Sequence, residues 1–136
     1  MKRGCTVPQP YTAKEPSNVI RGRFFSRASD DWAVLCSRQR VSAVLVYRQG
    51  QSRPAAEFAR ADDAGYLHTI DAVGTTGFSR AILTASPEQI RKYLNRLPKP
   101  LLTNIDHDSI EVAFIEKGST VHYFVNGKWI EITGAD

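Results

Sequence analysis

The residues best equipped for chemistry stand in a row, Asp106-His107-Asp108. A histidine flanked by carboxylates suits a general base or a metal ligand. Adjacent residues seldom converge on one ion, so a metal centre needs donors from elsewhere. The remaining histidines are His68 and His122. If His68, His107 and His122 met, they would suit zinc or copper with one position open for a reacting water. The plainer reading is a polar loop ahead of a strand, with Asp106 or Asp108 bonding its own turn. No nucleophile–base pair and no metal-ligand spacing is legible. The preferred expectation is therefore a binding domain without metal or cofactor. A small hydrolase or oxidase built on Asp106, His107 and Asp108 is the alternative.

Anion recognition is the second chemistry on offer. The segment Gly74-Thr75-Thr76-Gly77-Phe78-Ser79-Arg80 is rich in turn residues and donors, and suits an anion cradle completed by Arg80. It lacks the Gly-Lys-Ser/Thr ending of a phosphate loop and the Gly-x-Ser-x-Gly of a nucleophile elbow, and otherwise reads as a hairpin turn. Arginines also gather early, at Arg21, Arg23, Arg27, Arg38, Arg40 and Arg48. Strand alternation puts Arg38 and Arg40 together near one sheet edge. Residues 1–60 hold eleven Lys/Arg against four Asp/Glu, and residues 61–136 hold seven against ten. That asymmetry fits an anionic ligand or a protein partner. It is not the dense basic run with interleaved aromatics that marks nucleic-acid binding. Trp32 and Trp129 read as core or sheet-face anchors. A carbohydrate or peptide surface from Trp129, Tyr123 and Tyr47 is the competing reading.

Cys5 lies in a Pro-rich arm and Cys36 at the end of a strong strand, with no CxxC or metal-type neighbour. A Cys5–Cys36 disulfide would pin the arm to the sheet and stabilise the fold by about 3–4 kcal/mol in the chain-entropy model. It points to an oxidising compartment, periplasmic or extracellular. The start, Met1-Lys2-Arg3-Gly4-Cys5, is too short and polar for a signal peptide, so an exported form is expected to have lost its signal. No run of about 18 apolar residues is present to span a membrane.

These residues need elements to hold them. With 42% hydrophobic and 24% charged residues, the 136-residue chain has the makings of one domain with a real core. Residues 1–18, with Pro8, Pro10 and Pro16, read as an extended arm, and residues 19–136 as the domain. Strands are expected at Asn18–Phe25, Asp31–Ser37 and Val41–Arg48, the last two as a hairpin. Residues 49–56 read as loop, and Glu57-Phe58-Ala59-Arg60 as strand or short helical turn. Tyr66–Val73 and Phe78–Leu83 read as further strands. Ser86-Pro87-Glu88-Gln89 is a helix start: a capping hydroxyl, a proline at the first helical position, and Gln89 completing a capping box. The helix is expected over Pro87–Leu97, buries Ile90, Tyr93, Leu94 and Leu97, and stops at Pro98 and Pro100. Ile110–Glu116, Val121–Val125 and Lys128–Ile132 form a C-terminal meander whose last turn is Asn126-Gly127. The class is α+β, mostly antiparallel sheet with one clear helix.

The segment from Gly22 to Val34, Gly-Arg-Phe-Phe-Ser-Arg-Ala-Ser-Asp-Asp-Trp-Ala-Val, followed by the Val41–Tyr47 strand, resembles a single FG-GAP repeat of integrin-like β-propellers. That repeat's acidic or amide calcium ligands fall at Arg23, Phe25 and Arg27 here, and Asp31 alone keeps a ligand-type side chain. The resemblance over residues 22–47 thus implies the loop shape without calcium, since several oxygen ligands are needed. An arginine near Asp31 is expected to supply the missing positive charge. One repeat does not make a propeller. The chain is also similar to small exported bacterial proteins of unassigned activity, through an early Cys, Asp-Trp-Ala-Val-Leu-Cys-Ser, Gly-Phe-Ser-Arg and a closing Gly-Lys-Trp strand. That similarity implies location more than function.

Overall fold

The computed structural model describes residues 4–96 and 104–136. Two four-stranded antiparallel meanders dominate it. The first runs β1 (Val19–Gly22), β2 (Asp31–Arg38), β3 (Val41–Arg48) and β4 (Ala56–Asp62), side by side in chain order. A 3₁₀ turn at Asp63–Tyr66 and a small hairpin, β5 (Leu67–Thr69) with β6 (Thr76–Phe78), lead to the second. That sheet runs β7 (Arg80–Ala85), β8 (Ser109–Phe114), β9 (Gly118–Val125) and β10 (Lys128–Thr133), with α1 (Pro87–Leu94) inserted after β7. Among the described residues the expected antiparallel sheet with one helix is thus present, with strand far outweighing helix.

Alternation along the strands makes the layers. In β2, Ala33 and Leu35 face inward with Val44 and Val46 of β3, and meet Ile82 and Ile110 of the second sheet. Val34, Cys36 and Leu45 point the other way and are covered by Cys5 and Val7 of the arm. Along Ala33–Cys36 and Ala43–Val46 both faces are therefore apolar and covered, which is why each reads as an unbroken hydrophobic run. The outer face of the second sheet, with Val121, Tyr123 and Ile132, takes Ile90, Tyr93 and Leu94 of α1.

The arm is fixed at several points. Cys5 and Cys36 form the expected disulfide, closing a separation of 31 residues. Thr6 and Ser37 exchange main-chain hydrogen bonds at 2.8 and 2.7 Å, so the arm pairs with β2 beyond the reach of β1. Further on, the Tyr11 amide donates to the Phe78 carbonyl at 2.9 Å.

Asn18 fastens the two sheets along the β1/β7 side. It is 1% exposed and adopts φ 68°, a left-handed conformation that asparagine tolerates. Its Nδ2 donates to Pro8 O at 2.7 Å and Arg80 O at 3.2 Å, and its Oδ1 accepts from Ile82 N at 2.9 Å. The Thr84 hydroxyl adds a bond to Arg21 O at 3.0 Å.

Several sequence expectations need correction. Ser86 caps α1 through Gln89 N at 3.2 Å as expected, but the helix ends at Leu94 with Asn95 as its cap. Leu97, Pro98 and Pro100 lie outside the described residues. The strand expected at Tyr66–Val73 shrinks to Leu67–Thr69, because Asp71 Oδ1 accepts from both Val73 N and Thr75 N and curls the chain. The strand expected at Phe78–Leu83 is two strands that break at Ser79. Trp32 is 44% exposed with the Arg21 guanidinium 5.3 Å from its ring, so it anchors no core. Trp129 does pack against the inter-sheet core, beside Phe25, Phe58 and Phe124.

Candidate anion-binding site

The Asp106-His107-Asp108 row is spread in two directions. His107 stacks on Tyr123 with ring centroids 4.3 Å apart and is 8% exposed. Its Nε2 lies 2.8 Å from the Phe124 carbonyl, which only accepts, so that nitrogen carries a proton. Its Nδ1 lies 2.8 Å from Asp106 Oδ1 and 3.1 Å from the Tyr123 hydroxyl. The bond to His107 holds the Asp106 carboxyl below its ordinary range. Asp108 turns away and clasps Arg23, its carboxylate accepting from Arg23 N and its amide donating to Arg23 O, both at 2.9 Å. Both ring nitrogens of His107 are thus engaged, and the loop closes the end of the sandwich.

Nor do the three histidines meet. His122 faces the inter-sheet space and stacks on Phe58 at 4.4 Å, His107 lies against Tyr123 on the opposite face of β9, and His68 sits on the β5–β6 hairpin. Among the described residues no group of three His, Cys, Asp or Glu is placed to hold a metal ion. His68 Nδ1 does approach Ser79 Oγ at 2.6 Å, a serine–histidine pair the sequence did not signal. Ser79 has no accessible surface, so no substrate reaches that hydroxyl. Its hydrogen bond seals the break between β6 and β7.

The arginines are separated as well. Arg38 ends β2 and lines a depression of about 330 Å³ with Arg60 and Glu57, whereas Arg40 belongs to the turn. Gln39 and Arg40 both have positive φ, 53° and 65°, the twist of a type I′ hairpin, and this breaks the alternation that was to align Arg38 with Arg40. Arg21, Arg23 and Arg27 lie at the other end of β2, around a crevice of about 500 Å³. There Arg21 grips Asp30 with Nε to Oδ1 at 2.8 Å and Nη2 to Oδ2 at 2.5 Å. The arginine expected beside Asp31 is absent from its bonds: Asp31 Oδ2 accepts from Phe24 N, Phe25 N and Ser29 Oγ at 2.8, 3.2 and 2.7 Å. Backbone amides and a hydroxyl therefore hold this buried carboxylate. The aromatic surface expected from Trp129, Tyr123 and Tyr47 does not form, since Trp129 faces the inter-sheet core, Tyr123 the helix, and Tyr47 the arm.

Arg80 is the exception among them. Thr76 and Gly77 of the expected turn lie in β6, and the Arg80 guanidinium bonds Ser42 and Ala59 rather than that segment. Instead Arg80, 2% exposed, opens β7 and runs between the sheets. Its Nη1 donates to Ser42 O and Ser42 Oγ at 3.2 and 2.8 Å, its Nη2 donates to Ala59 O, and its Cζ lies 4.9 Å from the Tyr66 ring centre. Local strain presents the Ala59 carbonyl. Between Ser42 and Val44 the β3–β4 register slips, placing Ala59 and Arg60 opposite one residue, and Ala59 takes φ 58°. Such a bulge re-aims main-chain groups, and an alanine held there costs about 1–2 kcal/mol.

The guanidinium is not neutralised by these contacts, since every acceptor is uncharged. Among the described residues no carboxylate lies within ion-pair distance, and Asp63 acts on Arg80 only as a more distant charge. Nε has no hydrogen-bond partner. Desolvation lowers the Arg80 pKa, the sign of a cation held against its hydration preference. Arg80 forms part of the wall of a cleft of about 450 Å³, with Tyr66, Val112, Phe114, Lys117 and His122. Small-molecule sites commonly span about 300–1,000 Å³. Burial likewise lowers the pKa of His122 in the same cleft, with Arg80 acting in the same direction and Glu131 opposing.

No protein-family model, curated protein or solved structure matches this chain. Ser42 was the available signal in the sequence: a hydroxyl inside the apolar run Val41–Tyr47 needs a buried partner. Ala59, Tyr66 and the inter-sheet course of Arg80 had none.

Proposed function

We propose that this chain is a non-catalytic binding module of an oxidising compartment, periplasmic or extracellular, and that it takes an anionic group in the cleft beside Arg80. One observation carries the reading. A guanidinium that is 2% exposed has neutral acceptors on two nitrogens and none on the third. Burying a charge without a counter-charge is costly, and an anion entering from the cleft relieves that cost. The Cys5–Cys36 disulfide supports the compartment, and no described helix is long and apolar enough to cross a membrane.

Thermal unfolding in a panel of anions at constant ionic strength tests the reading. A specific ligand present at a hundredfold excess over its Kd stabilises by about 2.7 kcal/mol, whereas general salt effects are shared across the panel. Arg80→Met should remove the selective part of the stabilisation. Equal midpoints in every anion would end the proposal.

A further inference from the structure

We infer that the anion is a carboxylate, gripped side-on by the Nε/Nη2 edge of Arg80; this rests on reading the cleft as an anion site. A guanidinium has five N–H groups. In Arg80 the Nη1 pair goes to Ser42 O and Ser42 Oγ, and one Nη2 proton goes to Ala59 O. Nε–H and the second Nη2–H remain. The same two nitrogens of Arg21 hold both oxygens of Asp30, at 2.8 and 2.5 Å. The molecule thus already shows what this edge takes.

A planar carboxylate places its two oxygens at the spacing of that fork. Phosphate or sulfate offers the fork two oxygens too, but its higher charge meets the carboxylate of Glu131, which lines the same cleft. Val112 and Phe114, the apolar part of the lining, suit a carboxylate carried on an apolar body. Nε has less than 1 Å² of accessible surface, so a ligand reaches this edge only if the lining of the cleft shifts on binding.

The test uses the oxidised chain with ¹⁵N-labelled arginine, following the Arg80 Nε–H resonance. Acetate, benzoate, phosphate and sulfate are titrated at constant ionic strength, together with a short apolar peptide with a free C-terminus and its amidated twin. Carboxylates should shift the resonance saturably and bind at least about tenfold tighter than the tetrahedral anions, benzoate ahead of acetate. Arg21 Nε–H, already paired, should stay still. Loss of peptide binding on amidation would assign the carboxylate to a chain terminus, and binding of small acids alone would assign it to a free acid. Both outcomes support the inference. Phosphate or sulfate binding as well as benzoate would overturn it while leaving the anion cleft standing, and an Arg80 resonance moved by no anion would remove both. Arg80→Lys keeps the charge without the fork and should lose at least about tenfold in carboxylate affinity. Should that variant fail to fold, the wild-type titration still decides.

Discussion

The Ile82 amide donates to Asn18 Oδ1 at 2.9 Å, joining residues 64 apart in the chain. The same side chain donates to Pro8 O and Arg80 O, so one buried amide connects the arm, the β1 side and β7. Asn18→Ala should destabilise the fold by about 2–4 kcal/mol, since two buried main-chain groups and the half-buried Pro8 carbonyl lose partners. Asn18→Gly loses the same bonds but accepts φ 68°, and should recover about 1 kcal/mol of that loss. Urea unfolding of the pair separates the bonding and conformational parts. A change below about 0.5 kcal/mol in both would show that the clip carries no stability.

The Cys5–Cys36 bridge closes a separation of 31 residues, and replacing both cysteines by alanine should cost about 3–4 kcal/mol. Thiol titration of the unreduced, unfolded protein should find no free thiol. Two reactive thiols per chain would withdraw the support for an oxidising compartment.

His122 gives a pH dependence with a definite sign. Its folded pKa lies below the unfolded value, chiefly through burial, with Arg80 acting in the same direction and Glu131 opposing. Between the two values the unfolded chain binds more protons, so stability falls as pH drops below the ordinary imidazole value of about 6.5. The contribution is intact above that value. His122→Phe keeps an aromatic ring for Phe58 to stack on and should flatten this part of the curve. Denaturant midpoints measured for both proteins across mildly acid pH check it, and parallel curves would count against the assignment.

The bulge makes a further prediction. Ala59→Gly should be neutral or stabilising by up to about 1 kcal/mol, because relief of the left-handed strain is partly offset by unfolded-state entropy. Ala59→Val should destabilise by at least about 1 kcal/mol, since a β-branched residue tolerates φ 58° poorly. If the valine variant equals wild type, the bulge is not strained.

How far the sequence disclosed this depended on the distance over which each feature is specified. The start of α1 was legible because Ser86, Pro87 and Gln89 act within one turn. The hairpins at Arg38–Val41 and Val125–Lys128 were legible because strand period and turn are local. β4 stayed ambiguous because Ala59 and Arg60 interrupt its alternation, and Phe78 was joined to β7 because the break at Ser79 rests on a bond to His68. The role of Arg80 was displaced for the same reason: its partner Ser42 is 38 residues away on another sheet. Nearness to glycines suggested a cradle, and packing made it a rod between layers.

A sandwich fastened by Asn18 and Thr84 along one long side has a spine, and its opposite margin, where β4 meets β10 through Phe58 on Trp129, is the fore-edge of the book. Breathing motions should therefore swing about the spine. Amide exchange should be slowest at Ile82 and Leu35, whose protons are bonded to Asn18, and should quicken toward β4 and β10.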